Sequence, residues 1–152
     1  MESHCGDRVR ITLALETLHR TGQLRLRALG SSMTPAILAG DVLLFDACAG
    51  EGVAPGQVVL ARRGDALVVH RLLACDGAIL RLQGDALRRP DLPIAASSLL
   101  GVLVRQERGG QVLPAGGRPS RRRHRWSRWV LQRSTVARRV FHRWPRLAAL
   151  AA

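Results

Sequence analysis

Lysine is missing from the whole 152-residue chain, and all 24 of its basic residues are Arg. That excludes a lysine general base, a Schiff-base lysine and a P-loop lysine. Tyr is missing as well, and aromatic residues make up only 3% of the chain. The three Cys, at positions 5, 48 and 75, form no CxxC pair, so no metal-ligand cluster is encoded and neither a metal nor a cofactor is implied. An odd number of Cys without a secretory signal reads as reduced thiols in a reducing compartment. No window reaches the roughly 18 consecutive apolar residues of a spanning helix. The start, Met1-Glu2-Ser3-His4-Cys5-Gly6-Asp7, lacks the basic-then-apolar layout of a secretory signal. The expectation is a protein with no signal peptide and no transmembrane helix, cytoplasmic or peripherally membrane-associated.

What is present divides by charge. Residues 1–117 hold 13 Arg and all 11 acidic residues, a net charge of +2, whereas residues 118–152 hold 11 Arg and no acid. The overall +13 is therefore a property of the tail. Gly109-Gly110 and Pro114-Ala115-Gly116-Gly117-Arg118-Pro119 punctuate the boundary. These shifts predict a domain over 1–113, a linker over 114–120 and an Arg/Trp-rich tail over 121–152.

Within the domain the periodicity changes once. Val9, Ile11, Leu13, Ala14, Leu15 and Leu18 suit a short helix, with Gly22 as its stop. After it, Gln23–Leu29 alternates polar and apolar residues like a half-buried strand. Further apolar runs follow at 42–45, 57–61, 66–74, 78–82 and 99–104. They are separated by Gly40-Asp41, Pro55-Gly56, Gly64-Asp65, Asp76-Gly77 and Gly84-Asp85, of which Asp76-Gly77 is a direct hairpin signal. The predicted fold is mainly β with one N-terminal helix.

Three segments carry side chains suited to chemistry. Gly30-Ser31-Ser32-Met33-Thr34-Pro35 leaves the first strand, and a Ser in such a turn can present its hydroxyl and its own amide to one substrate carbonyl. Read alone, Ser and Gly beside Pro also describe an ordinary turn. Val68-Val69-His70-Arg71 sets His70, a base suited to neutral pH, within a strand, where a merely structural His is equally at home. Gly84-Asp85 and Asp91 form an acidic pair in a turn-rich loop. Either Asp could orient an imidazole, and both dipeptides, Gly-Asp and Pro-Asp, are also common turns.

In this order the segments resemble the motifs of the signal peptidase I family, within the superfamily that also contains LexA-type self-cleaving repressors. Ser32-Met33-Thr34-Pro35 followed by Gly40-Asp41 resembles the nucleophile box. Pro55-Gly56-Gln57-Val58-Val59 is similar to the GDVV-type strand box, with Gln57 where Asp is usual. His70-Arg71 resembles the box of the general base, and Gly84-Asp85 with Asp91 resembles the last box. The resemblance covers about residues 22–105. Most bacterial signal peptidases and LexA-type proteins carry Lys at the position of His70, whereas archaeal, endoplasmic-reticulum and some sporulation signal peptidases carry His. The absence of Lys agrees with the His type.

The resemblance implies a LexA/signal-peptidase-like β-fold and a serine endopeptidase acting on a peptide or protein substrate. Ser32 would be acylated, His70 would relay its proton and Asp91 would orient His70. Asp85 would be a supporting loop residue or a second orienting carboxylate. The Ser32 amide would serve the oxyanion, Met33 would pack beneath the nucleophile, and Arg71 would pair with an acidic neighbour. Cleavage after small residues, Ala-x-Ala above all, is the implied preference. A LexA-like self-processing protein and a non-catalytic β-domain that binds partners are the alternatives.

Two departures from the family pattern are expected from the residues upstream of Ser32, which read as neither a membrane anchor nor a helix-turn-helix domain. The tail reads as helix broken near Pro145, with Trp126, Trp129, Val130, Ala137, Val140, Phe141 and Trp144 largely on one side and Arg on the other. Such a helix suits peripheral contact with an anionic membrane. Nucleic-acid binding through the Arg cluster ranks second.

Overall fold

A 19-residue helix, α1 (Ser3–Thr21), opens the chain in the computed structural model, which describes residues 3–48 and 52–117. It begins earlier than the apolar pattern from Val9 predicts, because Ser3–Arg8 carry almost no apolar side chains from which a period could be read. Ala14 and Leu18 are buried and Ile11 and Leu15 half-buried, an i, i+3, i+4, i+7 stripe that faces the sheet. Gly22 stops the helix in the left-handed conformation (φ 71°), its N–H donating to the Leu18 carbonyl at 2.9 Å.

Eight strands follow among the described residues: β1 (Gln23–Arg27), β2 (Val42–Ala47), β3 (Val58–Arg63), β4 (Ala66–Cys75), β5 (Ile79–Gln83), β6 (Ile94–Ala95), β7 (Leu99–Arg108) and β8 (Gln111–Leu113). The mainly β expectation with one N-terminal helix holds. Six strands coincide with the apolar runs, whereas β6 and β8, of two and three residues, are too short to show alternation. Every ladder is antiparallel, in the order β1-β2-β7-β3-β4-β5-β6, with β8 pairing to β7.

β3 is buried on both faces, which explains its unbroken apolar run. Val58 and Leu60 join Leu24, Leu43, Phe45, Leu103, Met33 and Ile37 in the core that α1 covers. Val59 and Ala61 face the other way, into a cluster with Leu72, Leu80, Leu82 and Leu99. The sheet curls around the first cluster. Three strands separate β1 from β4 in the sheet order, roughly 19 Å when flat at the usual strand spacing, yet residues of both line a single cleft.

Beyond β8, the chain from Pro114 to Gly117 lies on the sheet. Gly116 is buried, and a β-carbon on it would come within 2.6 Å of Val58 Cγ2. The tail expectations for residues 121–152, helix and membrane contact included, lie outside the described residues.

Candidate active site

The turn that carries Ser32 is held by a buried carboxylate. Asp41, at the end of the 30–41 loop, accepts from the Leu38 amide at 2.9 Å and from Gln106 Nε2 at 2.8 Å. Arg108 grips it with two nitrogens, each at 2.8 Å, and Gln106 and Arg108 also donate to the Ala36 carbonyl. Charge-assisted and bidentate bonds of this kind fix geometry as well as adding energy. Within the loop Met33 is buried, as expected, and joins the core cluster.

The other side of Ser32 rests on the segment from Gly84 to Ala86. The Ala86 amide donates to the Ser32 carbonyl at 2.8 Å, and a β-carbon on Gly84 would lie 2.6 Å from the same oxygen. Only Gly permits that approach. The loop then closes back on β5, with the Leu87 amide on the Gly84 carbonyl and the Asp91 amide on the Leu82 carbonyl, each at 2.9 Å.

Between these two supports lie three side chains 21 to 59 residues apart in sequence. His70, buried on β4, has its Nε2 3.0 Å from Ser32 Oγ, and its Nδ1 is in close hydrogen-bond contact with Asp91 Oδ2. The partners define the tautomer: with Asp91 ionised, Nδ1–H donates to the carboxylate and Nε2 accepts from the Ser32 hydroxyl. The His70 and Asp91 side chains are 7% and 9% exposed, so the pair is shielded from water while Ser32 stays half-open. The Ser32 amide donates to none of the described residues, which leaves it free for an incoming oxygen. The chain Oγ–H, imidazole, carboxylate can withdraw a proton from a serine hydroxyl and hold the resulting imidazolium.

Asp85 is placed elsewhere. Its carboxylate takes a two-pronged contact from Arg71, Nε to Oδ1 at 2.9 Å and Nη2 to Oδ2 at 2.6 Å. Arg71 donates further to the carbonyls of Gly56 at 2.7 Å and Gly116 at 3.0 Å. The carboxylate on the imidazole is that of Asp91, and the Asp85 carboxylate lies on Arg71. Adjacent strand residues point to opposite faces, so His70 and Arg71 cannot serve one site. Gln57, standing where the box usually has Asp, accepts from the Ala54 amide at 2.7 Å and so closes the turn before β3.

A cleft of about 510 Å³ opens at Ser32 and His70. Its walls are Leu26–Gly30 from one side and Leu67–Val69 from the other, over a floor that includes Met33, Ile37, Leu43 and Leu60. Among the described residues, no three His, Cys, Asp or Glu side chains are gathered as a metal site. No described helix is long and apolar enough to cross a membrane.

Residues 2–104 match the Peptidase S24-like family. The chain belongs to that family. The matched span contains all three contacting side chains and most of the sheet. Membership places the chain in the LexA/signal-peptidase-like superfamily and supports a peptidase or self-cleaving activity at that level. It does not single out the signal peptidase I branch that the motifs resemble. No curated protein matches the sequence.

Sequence reading of this Peptidase S24-like chain missed Gln106 and Arg108, which secure the 30–41 loop at Asp41 from 65 and 67 residues away. It also missed Arg63, whose Nη1 lies 3.4 Å from Asp91 Oδ1. An Arg at the end of a strand carries no local signal of either role.

Proposed function

We propose that this chain is a serine endopeptidase that hydrolyses peptide bonds through Ser32, His70 and Asp91, in the manner of the His-type signal peptidases its motifs resemble. The observation that carries the reading is the continuous contact from Ser32 Oγ through both ring nitrogens of His70 to Asp91.

In this mechanism the Ser32 oxygen attacks the scissile carbonyl carbon as its proton passes to His70 Nε2. Asp91 stabilises the imidazolium through Nδ1–H, and the Ser32 amide donates to the oxygen that becomes negative. His70 then gives the proton to the departing amine, leaving Ser32 acylated. Water enters, loses a proton to His70 and releases the acid, restoring Ser32. The apolar cleft wall next to Ser32 suits small or apolar side chains before the cut, in line with Ala-x-Ala cleavage.

Family membership favours a second reading, in which the chain cleaves itself. Incubating the purified protein with a panel of Ala-x-Ala peptides and following both peptide products and the intact mass of the chain separates the two. Peptide turnover that disappears in Ser32→Ala and His70→Ala supports the endopeptidase. Fragmentation of the chain alone, abolished by Ser32→Ala, supports self-processing. Cleavage that persists in Ser32→Ala contradicts both.

A further inference from the structure

The cleft at Ser32 has an apolar floor but a basic mouth. Two of its lining residues are Arg: Arg27, the last residue of β1, and Arg63, the last residue of β3. Both are exposed, Arg63 to 49%, and the Arg27 guanidinium makes no hydrogen bond or ion pair with the described residues. The one acidic residue that lines the cleft is Asp91, and its two oxygens already face His70 and Arg63. At 3.4 Å the Arg63–Asp91 contact is an ion pair longer than a normal N–H···O bond, so the guanidinium keeps donors free for another acceptor.

We propose that this cleft selects peptides with an acidic side chain close to the scissile bond, its carboxylate held by Arg27 and Arg63. The proposal rests on the endopeptidase reading and adds the substrate class to it. Two guanidinium groups against one engaged carboxylate leave the mouth with an excess of positive charge, and a planar fork matches a carboxylate geometrically. A basic residue at the same place would meet that charge. Charged side chains near the lining residues in sequence are Arg62 and Asp65 at the β3–β4 turn, Arg88 and Arg89 on the loop that carries Asp91, and Arg25 of β1, which is paired with Glu107. Their sum is also positive.

The experiment uses the full chain and fluorogenic peptides with Ala before the cut, in which one flanking position at a time is Glu, Gln or Arg. Cleavage is measured on the intact protein and binding on Ser32→Ala. A rim ion pair supports a preference of about fivefold for Glu over Gln at one position, with Arg below Gln. The ratio is expected to fall to about 1 in Arg27→Gln/Arg63→Gln. It should also fall in Arg27→Glu alone, which leaves the Arg63–Asp91 pair in place. Equal handling of Glu and Gln at every position overturns the proposal. So does a Glu preference spread evenly over all positions and unchanged in both variants, because that is the signature of the Arg-rich tail. If no peptide is cleaved but binding to Ser32→Ala keeps the position-specific order, the endopeptidase reading fails and the acidic-peptide site stands.

Discussion

Gly84 packs so closely on the carbonyl of Ser32 that a β-carbon there would lie 2.6 Å from the oxygen. The contact ties the loop that carries Asp91 to the peptide of Ser32, and the Ala86 amide reinforces it. Gly84→Ala must therefore push the Ser32 peptide away from Ala86 or tilt the loop. A displacement of a few tenths of an ångström at a nucleophile costs catalysis more than stability. The expected result is a fall in kcat/KM of about a hundredfold with a loss of about 1–3 kcal/mol in folding free energy. Peptide cleavage and urea denaturation of the same sample check both numbers.

Arg71 and Asp85 form a buried ion pair that also holds the carbonyls of Gly56 and Gly116. Removing one partner leaves a buried charge without its counterpart. Asp85→Ala or Arg71→Ala should each cost about 3–5 kcal/mol, and the double change Arg71→Ala/Asp85→Ala should cost less than the sum of the two. Denaturant midpoints for the three variants form the cycle. Strict additivity would contradict the pairing.

Asp41 gathers Leu38, Gln106 and Arg108 around one buried carboxylate. Asp41→Asn keeps the size but loses the charge and forces one N–H onto a set of donors. The expected cost is about 2–4 kcal/mol in stability, together with slower cleavage as the 30–41 loop loosens. Thermal unfolding and kcat of the same variant provide the check, and Arg108→Lys, which cannot grip with two nitrogens in the same way, should lie between the two.

The Thr34 hydroxyl is buried and has no hydrogen-bond partner among the described residues. Thr34→Val replaces it with a methyl of nearly equal shape. Stability should stay the same or rise by up to about 1 kcal/mol, in contrast with nearly every other polar position of this loop. A clear loss in the denaturation midpoint would contradict that environment.

How much of this was legible beforehand follows from range. Alternation in Gln23–Leu29 and the unbroken runs through Val58 and Val69 exposed the strands, because burial dictates polarity residue by residue. Ser32, His70 and Asp91 were legible as a set only through the order of their motifs, since no local pattern shows that β4 brings His70 to the first turn. Which of Asp85 and Asp91 meets the imidazole was not legible from the residues alone, and only the resemblance pointed to Asp91. Both follow the same kind of turn signal, and the choice depends on the loop closing back from Gly84 to Leu82 so that Asp85 meets Arg71 on one side and Asp91 meets His70 on the other. The short strands β6 and β8, and the anchoring of Asp41 by Arg108, are set by tertiary pairing alone.

Activation of Ser32 by His70 is the central claim, and active-site labelling tests it most directly. The full chain is treated with a fluorophosphonate, and the modified residue is located by peptide mass spectrometry in the native protein, in His70→Ala and in Asp91→Ala. The account predicts a single adduct on Ser32, labelled at least about a hundredfold more slowly when His70 is removed and more slowly when Asp91 is removed. No adduct on Ser32, or equal labelling rates in the native protein and His70→Ala, would contradict it.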